Sequence, residues 1–129
     1  MDRRRVVITG LGAITPVGLT APESWQAVKD GVCGVAPITQ FDTEGMKVSL
    51  AAEVKGFVPE DHLGKPEAKR MGRFTQFAVV CAREAMADSG LVTEAEDLDR
   101  CGVIISSGIG GLSITEATRS TMCATATPT

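Results

Sequence analysis

Two stretches of this chain are apolar without alternation: Val6-Val7-Ile8 within Arg4 to Ile8, and Val103-Ile104-Ile105 within Cys101 to Ser107. Successive side chains of a strand point to opposite sides, so an uninterrupted β-branched run predicts a strand covered on both faces. Each run empties into a glycine-rich turn, Thr9 to Gly18 after the first and Gly108-Ile109-Gly110-Gly111 after the second. Between them the spacing turns helical. Thr20-Ala21-Pro22-Glu23 spells a capping box before Trp25, Ala27 and Val28, predicting a short helix that ends near Gly31. Met71, Phe74, Ala78, Cys81, Ala82 and Ala85 predict a long helix that opens near Pro66 and stops at Gly90, with Lys69, Arg73, Arg83 and Glu84 on its opposite face. From Gly34 to Lys55 the period breaks down, and Val48 to Val54 offers at most one or two short extended pieces. Leu112 begins a last helical segment that ends within Arg119 to Met122.

Strands separated by helices imply parallel pairing with right-handed crossovers, hence an α/β layered sheet. The 129 residues, 43% of them hydrophobic, suit one globular domain or part of one. A net charge of -3 gives no overall attraction to nucleic acid or an anionic membrane. No apolar run approaches the roughly 18 to 20 residues that span a bilayer. Cys33, Cys81, Cys101 and Cys123 lie far apart without a C-x-x-C pair, and no secretory segment opens the chain, which points to the reducing cytoplasm.

The candidate chemistry is sparse. Gly10-Leu11-Gly12 after a predicted strand opens like a dinucleotide-binding turn, but Thr15 stands where the third glycine belongs and Pro16 would interrupt the phosphate-facing helix start. A structural turn is the better reading. Gly108 to Gly111 has amides able to cradle an anion, yet no Lys-Ser or Lys-Thr follows, and composition reads it as a tight connection where backbone approaches a neighbour. Cys123-Ala124-Thr125 follows the end of a helical segment and leads into alternating Ala and Thr, which cannot position a thiolate. His62 is the single His, leaving no second imidazole and no metal cluster; no cofactor is expected. Lys65, Lys69, Arg70 and Arg73 read either as a solvated helix face or as a docking patch for an acidic protein.

Taken in order, several separated motifs carry a resemblance: Arg4-Arg5-Val6-Val7-Ile8-Thr9-Gly10-Leu11-Gly12 with Thr15-Pro16-Val17-Gly18; Phe41-Asp42-Thr43; Met71-Gly72-Arg73-Phe74-Thr75-Gln76-Phe77-Ala78; Ala87-Asp88-Ser89-Gly90-Leu91; and Ser107-Gly108-Ile109-Gly110-Gly111-Leu112. The chain resembles the elongating, type II β-ketoacyl-acyl-carrier-protein synthases from about Arg4 to Thr118. The resemblance implies an α/β, thiolase-like layered fold, of which this is the amino-terminal half. It implies acyl transfer to a Cys thiolate and decarboxylative condensation with malonyl-carrier in fatty-acid or polyketide biosynthesis, helped by two His and a Lys. The family carries those four groups downstream of the matched stretch, so this chain is expected to be inactive by itself. The alternative is a noncatalytic subunit that binds the carrier or a partner.

Residue by residue, Ile109 looks like the side chain that gates the acyl pocket, and Lys65, Lys69 and Arg70 look like the carrier-docking patch. The implied partners are an acyl carrier protein and, as in the intact family, a second copy. Gly72 departs from the family, where an acidic residue is common. Residues 1–118 are read as a partial ketosynthase domain and 119–129 as an unmatched tail, with Cys123 to Thr129 read as out of frame. Exposed apolar faces, the strand through Val103 to Ile105 among them, lead to an expectation of poor stability and aggregation.

Overall fold

The computed structural model describes residues 3–125. Helix α1 spans Ala21–Lys29, and Thr20 caps it from an extended backbone, its hydroxyl accepting the amide of Glu23 at 3.3 Å. Glu23 completes the box one residue further back than the pattern predicts, accepting the amide of Leu19 at 2.9 Å. The helix ends at Asp30, and Gly31 takes the positive φ of 69° that a side chain would resist. Strands β1 (Ala36–Pro37) and β2 (Leu50–Ala51) then pair antiparallel, Ala36 opposite Ala51 and Pro37 opposite Leu50. The second lies within the stretch expected to hold short extended pieces.

The long helix is two helices. Helix α2 (Pro59–Leu63) leads through Gly64 into α3 (Lys65–Arg70), and α4 (Arg73–Ser89) starts afresh after extended residues Met71 and Gly72. The helical spacing of apolar residues carries across that break, because it records which side faces the core and not whether backbone bonds continue. Gln76 holds the break: it is buried, and its amide donates to the carbonyls of Ala68 at 2.8 Å and Met71 at 3.1 Å. These are the carbonyls α3 leaves orphaned at its end. Helix α4 stops as predicted at Gly90, in the left-handed conformation. Two 3₁₀ turns, Thr93–Ala95 and Leu98–Arg100, precede α5 (Leu112–Thr125), which continues without interruption past Thr118.

The core sits where α2, α3 and α4 meet, on Phe57, Leu63 and Ala68. Phe77 meets the Phe57 ring edge-on at 4.9 Å and His62 stacks on it at 5.3 Å. The Arg73 guanidinium lies over Phe77 at 4.9 Å and donates to the carbonyl of Val54, closing the loop after β2 onto α4.

The two predicted core strands are not paired here. Residues 4–8 and 101–107 form no strand: none of them joins a ladder among the described residues, and Val6 is 94% and Ile104 98% exposed. The physical reason is that β-branching favours an extended, half-buried conformation without supplying the neighbouring strand that makes it a sheet.

Candidate functional site

The turn after residues 4–8 is fastened to α4 by two carboxylates one helical turn apart. Glu84 accepts the amide of Ala13 at 2.8 Å through one oxygen and that of Ala21 at 2.8 Å through the other, while Asp88 accepts the amide of Leu11 at 2.9 Å. Glu84 was expected on the solvated face; it is half-buried and ties both ends of the turn to one helix. Gly10 and Gly12 make this docking possible. A Cβ on Gly10 would meet the carbonyl oxygen of Ala85, and one on Gly12 that of Cys81. Inside the turn, Thr15 Oγ1 and the buried Ser24 hydroxyl lie 2.9 Å apart and both reach the carbonyl of Gly18.

The second glycine loop meets the α3–α4 break. Side-chain atoms of Phe74 and Ile114 fill the space where a Cβ would stand on Gly111, at 3.1 and 2.9 Å, and also the space beside Gly72. Gly72, noted as a departure in sequence, is therefore a position where a side chain would have to push aside the tip of Ile114 and the edge of the Phe74 ring. Gly110 has a φ of 75°, and its amide donates to the Ser107 hydroxyl oxygen at 3.0 Å. Ile109 rides on this loop, 77% exposed. Phe74 and Ile114, which the sequence reading had assigned no role at this junction, join the loop bearing Ile109 to the end of the helix bearing Lys69 and Arg70.

Lys65, Lys69 and Arg70 are all exposed on α3. Glu67, the one acid on that helix, turns instead toward Arg83 of α4 at 3.6 Å, and none of the three cations forms an ion pair among the described residues. Arg83 also donates to the carbonyl of His62 at 2.8 Å.

Among the described residues no cysteine is hydrogen-bonded to His62, and no group of three or more His, Cys, Asp or Glu is arranged to hold a metal. Burial pushes the Cys81 thiol up, with Glu84 adding to the effect. The hydroxyl and amide of Thr39, at 2.7 and 3.1 Å, hold the Glu53 carboxyl below the ordinary range. Cys123 is exposed on α5. An open groove of about 710 Å³ lies between α1 and α4, lined by Leu11, Ala21, Pro22 and Trp25 and floored by Glu84 and Asp88. No helix is long and apolar enough to cross a membrane among the described residues.

Residues 3–127 match the family described as beta-ketoacyl synthase, N-terminal domain. The chain is 50% identical over 111 residues to the 3-oxoacyl-[acyl-carrier-protein] synthase 2 of Staphylococcus aureus strain COL, covering 86% of this chain and 27% of that protein. It is 44% identical over 116 residues to the enzyme of the same name from Synechocystis sp., covering 90% and 28%. The chain thus spans about a quarter of the length of these relatives. Among solved structures, the ishigamide ketosynthase/chain length factor superposes with a TM-score of 0.73 at 33% identity, over 95% of this chain and 31% of that one.

Proposed function

This chain belongs to the β-ketoacyl synthase family through its amino-terminal domain and carries that part of the α/β thiolase-like fold, and from this we propose that it serves decarboxylative carbon-carbon bond formation on acyl-carrier thioesters. The observation that carries the reading is the match over residues 3–127, joined to relatives named as 3-oxoacyl-carrier-protein synthases. In this reading a Cys thiolate takes the acyl group from its carrier and releases the carrier thiol. Malonyl-carrier then loses carbon dioxide, and the resulting carbanion attacks the acyl thioester and frees the thiolate. The residues of this chain bind and position in that scheme. Ile109 gates the acyl pocket, supported by its place on a glycine loop braced against Phe74 and Ile114.

Lys65, Lys69 and Arg70 form the surface that receives the acidic carrier, supported by their exposure and by the withdrawal of Glu67 to Arg83. Reversing two cations at a rim of this kind, Lys69→Glu with Arg70→Glu, is expected to weaken carrier binding about tenfold at low salt, with a smaller difference at high salt. Calorimetric titration with an acyl carrier protein reads this directly. Equal binding by variant and parent would remove the patch from the proposal. The same basic face favours a second reading, a noncatalytic carrier-binding subunit, because docking needs no nucleophile. Carrier binding without any release of carbon dioxide from malonyl-carrier, measured with the chain joined in frame to the rest of a 3-oxoacyl-carrier-protein synthase, is the outcome that separates the second reading from the first. Either function is assigned to the cytoplasm, as four cysteines without a paired spacing imply.

A further inference from the structure

Two glycines far apart in the chain lack a side chain for the same reason. Gly72 has a φ of −66° and Gly111 lies outside the positive-φ region, so neither needs the conformational freedom that glycine alone has. What both lack is room. A Cβ on either would stand against Cδ1 of Ile114 and Cε1 of Phe74; at Gly111 the separations would be 2.9 and 3.1 Å. Phe74 comes from the start of α4, beside Gly72, and Ile114 from the start of α5, beside Gly111. Each segment receives one side chain from the other, and the contacts form a reciprocal clasp between the α3–α4 break and the second glycine loop. One side of the clasp is fixed. Gln76 is buried, its backbone amide donates to the carbonyl of Gly72 at 3.0 Å, and its side chain holds the carbonyls of Ala68 and Met71. On the other side, the carbonyl of Gly111 accepts the amides of Ile114 and Thr115, both at 3.1 Å, which ties the loop to the first turn of α5. Ile109 itself is 77% exposed, so little packing of its own sets its place.

Resting on the reading of Ile109 as the acyl gate, we infer that Phe74 and Ile114 are positioning residues for that gate, and that the bare position at Gly72 sets how far the Ile109 loop reaches into the acyl pocket. A methyl group at position 72 has the locked break behind it. The displacement therefore passes to Ile114, and through the first turn of α5 to Gly111, because close-packed side chains transmit strain to their neighbours. Ile114→Ala removes the atoms that carry the push. Position 72 thereby acts on acyl-chain length through its neighbours.

The test uses a protein that joins this chain in frame to the rest of the Staphylococcus aureus relative, as parent, as Gly72→Ala, and as Gly72→Ala with Ile114→Ala. Amide exchange at Ile109, Gly110 and Gly111, referred to the amides of α1, is expected to change about tenfold in Gly72→Ala and to return toward the parent in the double variant. Acyl transfer to the protein from a long-chain and from a short-chain acyl carrier is read by protein mass. The long-to-short ratio is expected to fall about tenfold in Gly72→Ala and to recover in the double variant. Phe74→Leu, which loosens the clasp without overpacking it, is expected to move the ratio the other way and covers the case in which Gly72→Ala does not fold. A loss of stability alone slows both chain lengths equally, and that result overturns the inference. Unchanged exchange at the three amides in a folded Gly72→Ala protein also overturns it, because Ile114, 47% exposed, has then turned into solvent instead of pushing the loop. If the parent transfers no acyl group, the proposed function fails, and the exchange response alone decides whether position 72 places the loop.

Discussion

Glu84 and Asp88 show how much one or two side chains contribute to placing a whole segment. Three backbone amides, two in the first turn and one at the start of α1, end on these two carboxylates, and leaving a partly buried amide without its acceptor costs on the order of 1–3 kcal/mol. Glu84→Ala is therefore expected to speed hydrogen exchange at Ala13 and Ala21 by about tenfold or more, a shift of about 1.4 kcal/mol in local opening. Unchanged exchange at both amides would mean that the glycine contacts alone hold the turn. Cys81, packed beneath Gly12, makes a separate prediction. Its thiol is raised mainly by burial, so folding holds that proton more tightly than the unfolded chain does. The resulting stabilisation is complete below the ordinary thiol range and declines as pH rises through it toward the raised value. Alkylation at mildly alkaline pH is expected to modify exposed Cys33 and Cys101 first and Cys81 last, read by mass spectrometry of timed samples. None of this was visible in the linear pattern, where Glu84 counted as one more charge on a polar face.

At the scale of elements, the break between α3 and α4 is the instructive case. The apolar spacing from Met71 to Ala85 predicts continuity; α4 is helical over Arg73–Ser89, but Phe74 and Ala82 of that face are exposed and the buried residue on the helix is Gln76. Continuity fails at Met71 and Gly72, where the backbone is extended and Ile114 of α5 lies against Gly72. Gly72→Ala is expected to cost about 1–3 kcal/mol through overpacking. Adding Ile114→Ala, which vacates that space, is expected to recover part of the loss, giving a coupling of about 1 kcal/mol in a double-mutant cycle run by denaturant titration on a protein that joins this chain in frame to the rest of a relative. Strict additivity would show that the two residues do not share the site. By contrast the capping box of α1 and the glycine stop of α4 were readable outright, since Thr20 with Glu23 and Gly90 act on backbone groups within a few residues of themselves.

For the whole molecule, the small buried set of Phe57, Leu63 and Ala68 stands against a long series of exposed β-branched residues. That ratio predicts the solution behaviour of the chain alone. It is expected to bind a hydrophobic dye strongly, to show no sharp thermal transition and to associate as concentration rises, all checked by fluorescence and light scattering over a temperature ramp. A sharp monomeric transition with little dye binding would mean that residues 4–8 and 103–105 find cover within the chain.

Family membership is legible in the sequence because it rests on short motifs in a fixed order, from Arg4-Arg5-Val6-Val7-Ile8 to Gly108-Ile109-Gly110-Gly111. The cap at Thr20 and the positive-φ glycines Gly31 and Gly90 are local features of that kind. The purpose of Gly10, Gly12 and Gly72 emerged only when α4 and α5 were seen beside them, and so did the role of Glu84. The same holds for sheet pairing. A residue determines its own backbone preference and the face it offers, but a close approach, a shared carboxylate and a strand ladder are relations between segments distant along the chain, decided by which surfaces meet.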